Sequence, residues 1–201
     1  MNHFLRLGAY ALHPLLMPFL GAAIYYSITP RFVDVETIQS KLLVIVILTI
    51  LVPIVTYFLL KNLKLVQSIK LEGVSERKIP LMLQCILIFI IIRVVFDAYI
   101  TPELYFFFVG VLFSSFSALF LVIFKIKASL HQMGIAGLTF FVIALSVHFK
   151  INMLFWIGLL LFANGWVASS RLHTLSHTKA ELLLGLFIGV IPQLLMLNFW
   201  L

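Results

Sequence analysis

The chain has 201 residues, of which 63% are apolar and only 10% are charged, and its mean hydropathy is +1.18. A soluble domain has about 25% charged residues, so this composition excludes the ordinary soluble class and predicts a membrane protein. The net charge of +7 comes from short basic stretches between apolar runs, which favours lipid headgroups or a phosphorylated substrate as partners and argues against nucleic acid.

Seven apolar runs of roughly 17–25 residues predict seven membrane-spanning helices, at about 7–28, 41–60, 80–100, 104–124, 132–149, 151–169 and 181–201. Pro14 and Pro18 interrupt the first run and predict a kink in a retained first span. Near the C-terminus, Gly185-x3-Gly189 predicts a close contact between two helices. The fold class is therefore an all-α, polytopic integral membrane bundle, with 1–201 as a single transmembrane domain.

Seven spans distribute the connecting segments between two faces of the membrane. Face A holds the N-terminus and the segments 61–79, 125–131 and 170–180, and face B holds 29–40, 101–103, 150 and the C-terminus. Face A carries ten lysines and arginines and face B three, namely Arg31, Lys41 and Lys150. The positive-inside rule makes face A cytoplasmic. Five of the ten face A cations are also suited to bind phosphate. Without them the count is five on face A against three on face B, which is too small a difference to decide which face is cytoplasmic.

The polar groups that suggest chemistry form two clusters on face A. In the first, Lys127 precedes Ser129, a candidate N-cap, and His131 lies at the start of the fifth span. Backbone N–H groups at a helix start, together with a lysine and a histidine, form an anion site with a proton donor. A lysine-rich turn that only contacts lipid headgroups is the simpler alternative.

The second cluster lies at 170–181. Ser170 and Arg171 are followed by His177 and, four residues later, by Glu181. If a helix begins near His177, the carboxylate of Glu181 lies one turn away and can hydrogen-bond to the ring. Such a carboxylate fixes the tautomer of the imidazole and makes its other nitrogen a better nucleophile. The adjacent guanidinium and hydroxyl groups suit a tetrahedral phosphate.

These clusters resemble two signatures of the type 2 phosphatidic acid phosphatase superfamily. Ser170-Arg171-x5-His177-x3-Glu181 is similar to the third signature, S-R-x5-H-x3-D, with Glu in place of Asp. Ser129-Leu130-His131 stands where the family has P-S-G-H, without its proline and glycine. Lys127 (or Lys125) would correspond to the lysine of the first signature, K-x6-R-P. Lys70-x6-Arg77 imitates that signature two whole spans before His131, and this spacing indicates a coincidence in a basic loop.

The resemblance implies a six-helix phosphatase-like core at 41–201, with 1–40 as an extra N-terminal span and loop. It implies metal-independent hydrolysis of a lipid phosphomonoester or pyrophosphate without a cofactor. His177 would be the nucleophile that forms a phosphohistidine, Glu181 would orient it, and His131 would protonate the leaving alcohol. The phosphoryl oxygens would be held by Lys127, Arg171, Ser129 and Ser170. Bacterial relatives place such a site on the outer face of the cytoplasmic membrane, opposite to the side that the charge count predicts.

Two other interpretations use the same residues. His173, His177 and Glu181 recur at four-residue steps, which on one helix face would suit a metal ion with His131 as a further ligand, although neighbouring cations would repel the metal. Alternatively, the chain is a catalytically inactive membrane scaffold or subunit of the same fold, whose polar loops are only solvated.

Overall fold

The computed structural model of the chain describes residues 5, 7–8, 11–65 and 73–201, and every regular element in this part of the chain is helical. Seven α-helices have their bounds within these residues, and each overlaps one of the seven predicted apolar runs. They are α1 (Met17–Ile28), α2 (Val35–Asn62), α3 (Lys78–Val94), α4 (Pro102–Ile123), α5 (Leu130–Phe149), α6 (Leu154–His173) and α7 (Lys179–Met196). Two of the face A cations, Arg6 and Lys70, lie outside the described residues.

Four of the described helical segments are long and apolar enough to cross a membrane. They are Val35–Asn62, Pro102–Ile123, Leu130–Phe149 and Lys179–Phe199, the last being α7 with a 3-10 turn at its end. Pro14–Ile28 and the 17-residue α3 are shorter, and α6 carries the polar side chains of Asn164 and Arg171. These helices indicate a membrane protein, and the full count of seven spans stays a prediction.

Helix starts and irregularities follow from identifiable side chains. The carboxylate of Asp34 accepts the N–H of Thr37 at 2.8 Å and so caps α2. Pro102 lies in the first turn of α4, where its missing N–H costs no helical hydrogen bond. Inside α2, a π-helical turn at Ile47–Leu51 precedes Pro53, and this wider turn accommodates a residue that cannot donate a backbone hydrogen bond.

The first predicted span, 7–28, is broken rather than merely kinked. The chain leaves the helical conformation at His13, which is extended with φ −68° and ψ 137°, and resumes in the 3-10 turn Pro14–Leu16 before α1. A residue that precedes proline is disfavoured in the helical region, and proline itself donates no hydrogen bond. The break therefore occurs where the sequence requires it, and it leaves the side chain of His13 between two segments.

Helix α5 is the centre of the bundle and packs against α1, α4, α6 and α7. Its closest contact is with α7, as the predicted glycine pair requires. A Cβ atom at Gly185 would overlap the carbonyl oxygen of Ser129, and one at Gly189 would overlap that of Met133. The prediction of a close glycine-mediated helix contact is therefore confirmed. It places the N-terminal ends of α5 and α7 side by side at face A.

The opposite end of the bundle, at face B, is held by a fully buried carboxylate, Glu103, in the first turn of α4. Arg31 donates to Glu103 at 2.7 Å and the phenol of Tyr25 donates at 3.1 Å. Nε2 of His148 lies 3.1 Å from the same carboxylate. These contacts connect α1, the segment after it, α4 and the end of α5, and they compensate the cost of burying the charge.

Candidate active site

The start of α7 is organised by a capping box. The hydroxyl of Thr178 accepts the N–H of Glu181 at 3.3 Å, and the Glu181 carboxylate accepts the N–H of Thr178 at 3.4 Å. The carboxylate that turns back over the helix start also lies 2.6 Å from Nδ1 of His177. The predicted His177–Glu181 contact is thus present. It is made across the helix start, because α7 begins at Lys179 and not at His177.

His177 is positioned to act as a neutral nucleophile. Its side chain is almost completely buried, and burial lowers the pKa of the imidazole to about 4. The hydrogen bond to Glu181 opposes this decrease, whereas the positive charges of Arg77, Lys127 and Arg171 add to it. When Nδ1–H donates to the Glu181 carboxylate, Nε2 carries the free lone pair. Near neutral pH the imidazole is therefore uncharged, with its proton on Nδ1, and its orientation is fixed by the hydrogen bond to Glu181.

A cavity of ≈ 530 Å³ extends from face A into the bundle. Its face A end is lined by imidazole and guanidinium groups, namely His13, Arg77, His131, Arg171 and His177. The remaining wall is largely apolar and includes Pro53 of α2, Leu81 of α3, Phe107 of α4 and Leu138 of α5. The cavity thus joins a cationic, imidazole-rich end to an apolar interior. Three of the sequence-predicted site residues, His131, Arg171 and His177, share this space.

Arg77 enters the cavity although its sequence spacing suggested a coincidental match. It ends the 3-10 turn Ser75–Arg77 before α3, is 4% exposed, and donates to the carbonyl oxygen of Ala128 at 2.9 Å. This hydrogen bond joins the 61–79 segment to the 125–131 segment. The available sequence signal was the position of Arg77 on face A, seven residues after Lys70, which itself lies outside the described residues.

Three predicted phosphate ligands support the cavity wall but do not line it. Lys127 donates to the carbonyl oxygen of Ser176 at 2.9 Å, which holds the segment that carries His177. Ser129 is fully buried, its hydroxyl accepts the N–H of Gln132 at 3.4 Å, and its N–H donates to the carbonyl oxygen of Glu181 at 3.0 Å. Ser170 is also fully buried. These two serines therefore do not reach a phosphate bound in the cavity.

The metal-site alternative required His173, His177 and Glu181 to share one helix face. Helix α6 ends at the exposed His173 and α7 begins at Lys179, so the chain turns between His173 and the pair formed by His177 and Glu181. Within residues 5, 7–8, 11–65 and 73–201, no three His, Cys, Asp or Glu side chains are grouped so that they could hold a metal ion. The spacing argument for that site is therefore wrong.

Two helix N-termini add to the positive potential of this region. The hydrogen bond from Ser129 N–H to the Glu181 carbonyl fixes the starts of α5 and α7 next to each other. Helix N-termini attract anions because their first N–H groups lack intrahelical partners and the peptide dipoles are aligned. Together with Arg77, Lys127 and Arg171, they outweigh the negative charge of Glu181. The site is suited electrostatically to an anion.

No family model, no curated protein and no solved structure matches this chain. The resemblance to the phosphatase superfamily rests on the motif residues, and it stays a prediction.

Proposed function

We propose that this chain is a membrane-embedded lipid phosphatase that acts through a phosphohistidine on His177. The observation that carries the proposal is a single cavity in which His177, oriented by Glu181, lies with His131 and two buried arginines at one end of an apolar space. The polar end suits a phosphate and the apolar part suits a lipid tail. A phosphoryl group needs in-line attack, charge neutralisation and a proton for the leaving oxygen.

In the proposed reaction, the lone pair of His177 Nε2 attacks phosphorus. The N–P bond forms as the bond between phosphorus and the leaving oxygen breaks, and His131 gives that oxygen a proton. Arg77 and Arg171 neutralise the phosphoryl oxygens, where charge stabilisation is most effective. Water then attacks phosphorus and loses a proton to His131, and the N–P bond breaks with its electrons returning to Nε2. Inorganic phosphate leaves, and both imidazoles regain their starting states.

We also propose that all seven helices cross the membrane, with 41–201 as the six-helix phosphatase-like core and 1–40 as an added span and loop. The support is that each helix overlaps one predicted apolar run, and that four groups at the polar end of the cavity lie in face A segments, namely Arg77, His131, Arg171 and His177. Following bacterial members of the resembled family, we propose the cytoplasmic membrane as its location. The substrate is then a phosphorylated lipid that enters from the bilayer.

A phosphate-release assay across a panel of lipid phosphates tests the function. Purified wild-type protein should release phosphate in the presence of EDTA, and vanadate should inhibit it as a mimic of the pentacoordinate transition state. His177→Ala should reduce release to background, and His131→Ala should lower kcat by about 10²–10⁴-fold. His173→Ala is the matched control, since this histidine is exposed and outside the cavity. Equal release by wild type and His177→Ala would favour a scaffold.

A further inference from the structure

His13 brings a third imidazole to the cavity from outside the proposed six-helix core. It lies at the break before Pro14, where its Nδ1 accepts the N–H of Leu15 at 3.4 Å. Because Nδ1 is the acceptor, the neutral ring carries its proton on Nε2, which is therefore a hydrogen-bond donor. The helix break thus produces an oriented donor in a wall of the cavity.

The ring of His13 lies directly beside His131. The two ring centroids are 5.1 Å apart and the rings are nearly perpendicular, at 79°. The following residues are held against α5, because a Cβ atom at Gly134 would lie 3.0 Å from Cγ of Met17 and 3.4 Å from Cα of Pro14. His13 therefore has a fixed position next to His131, and the apolar residues that follow it, Pro14 to Pro18, line the same cavity.

In the proposed reaction, the contact between the rings of His13 and His131 gives His13 a specific place relative to a bound lipid. His177 contacts the transferred phosphoryl group in the proposed reaction, and His131 contacts the leaving oxygen. Arg171 lines the same cavity as His177 and His13. The next group of the substrate, between the leaving oxygen and the tail, then lies beside His13. In a diphosphate lipid that group is a second phosphate, and in a monophosphate lipid it is a carbon atom.

We propose that His13 is a specificity-determining residue that donates its Nε2–H to the inner phosphate of a diphosphate lipid. The inference rests on the proposed function and names the substrate class of the same site. The terminal phosphoryl group transfers to His177 as its bond to the bridging oxygen breaks. That oxygen takes the proton of His131 and leaves as the lipid monophosphate. The hydrogen bond from His13 stabilises the negative charge of this leaving group. A monophosphate substrate has no inner phosphate that could accept this hydrogen bond.

The test compares farnesyl diphosphate with farnesyl monophosphate, which have the same tail, on the purified full chain. His13→Phe keeps an aromatic ring against His131 and removes the donor. It should lower kcat/KM for the diphosphate about 10- to 100-fold, as expected for a lost hydrogen bond to a charged group, and leave the monophosphate nearly unchanged. His13→Gln should recover part of the loss because its amide can donate. His173→Phe makes the same change at an exposed histidine and should alter neither value.

Equal losses on both substrates, or no loss on the diphosphate, would overturn the proposal. If the wild-type protein hydrolyses neither lipid, the proposed phosphatase function is rejected. The role of His13 is then tested separately, by measuring the binding of ligands that resist hydrolysis. Thermal stabilisation is measured with a farnesyl methylenediphosphonate and a farnesyl phosphonate, neither of which can be hydrolysed at the phosphorus–carbon bond. The role of His13 is supported if the diphosphonate stabilises the wild-type protein more than the phosphonate does and if this difference is lost in His13→Phe. The same stabilisation in both proteins rejects it.

Discussion

The charge state of His177 depends on three cations contributed by separate segments of the chain. Arg77 precedes α3, Lys127 precedes α5 and Arg171 ends α6, and each disfavours an imidazolium at His177. A nucleophile must be unprotonated, so these cations serve two purposes in the proposed reaction. All three keep Nε2 available, and the two that line the cavity, Arg77 and Arg171, also neutralise the phosphate that it attacks.

The pH dependence of kcat/KM tests this environment. Because the pKa of His177 is lowered to about 4, the ring stays neutral as the pH falls through 6.5, and the loss of activity due to His177 should occur near pH 4. Lys127→Gln removes a repelling charge, so the pKa should rise and the acidic limb should move toward neutral pH. Lys125→Gln is the matched control at an exposed lysine. An acidic limb at pH 6.5 that Lys127→Gln does not move would contradict this account.

Sequence spacing could predict some of the site residues but not others. His177 and Glu181 are four residues apart at a helix start, so local geometry determines their contact. Arg77 and His13 reach the cavity through tertiary packing, and no local pattern encodes their proximity to His131. The burial of Ser129 is likewise a tertiary effect, because the backbone of α7 approaches it at Gly185. Local motifs therefore predict the residues that they contain, whereas residues that belong to no motif are located only by the tertiary structure.

The contact between α5 and α7 positions the site at the level of elements. Cβ atoms at Gly185 and Gly189 would overlap backbone carbonyl oxygens of α5, and backbone cannot move aside as a flexible side chain can. The close approach holds His131, at the start of α5, next to the segment that carries His177. Small residues at such contacts are typical of membrane helices, where backbones pack closely.

Alanine substitutions measure the importance of this helix contact. Gly185→Ala or Gly189→Ala should each destabilise the protein by about 1–3 kcal/mol, since each forces α7 away from α5. Gly158→Ala in α6 is the matched control, because a Cβ there meets no atom within 4 Å, and its effect should stay within about 0.5 kcal/mol. Unfolding in detergent, followed by circular dichroism, compares the three. Equal stability of Gly185→Ala and Gly158→Ala would show that the contact is not close in the membrane.

The apolar runs predicted where the helices lie, because about 20 apolar residues are needed to cross a bilayer and such runs are visible without tertiary information. Their interruptions were less predictable. Pro14 indicated a kink, but the sequence did not show that the chain leaves the helical conformation completely at His13. Glu103 was not identified as a buried residue, because a carboxylate in a first helical turn is equally common in solvent, where it interacts with the helix dipole.

The two ends of the molecule carry different kinds of polar groups. Face A collects the cationic and imidazole groups around the cavity, and face B contains the buried Glu103 and its three partners. The apolar part of the cavity lies between these ends, among α1 to α5. This arrangement suits a lipid whose charged end stays at one membrane surface. It also separates the groups proposed for chemistry from those that hold the opposite end of the bundle.

The phosphohistidine on His177 can be detected by trapping the phosphoryl group on the protein. The purified chain is mixed with a lipid phosphate labelled in its terminal phosphoryl group and quenched in alkali, where phosphohistidine survives, and the labelled peptide is identified by mass spectrometry. The account predicts an acid-labile label on His177, which is absent in His177→Ala and retained in His173→Ala. Phosphate release without any label on His177, or a label on a different residue, would contradict it.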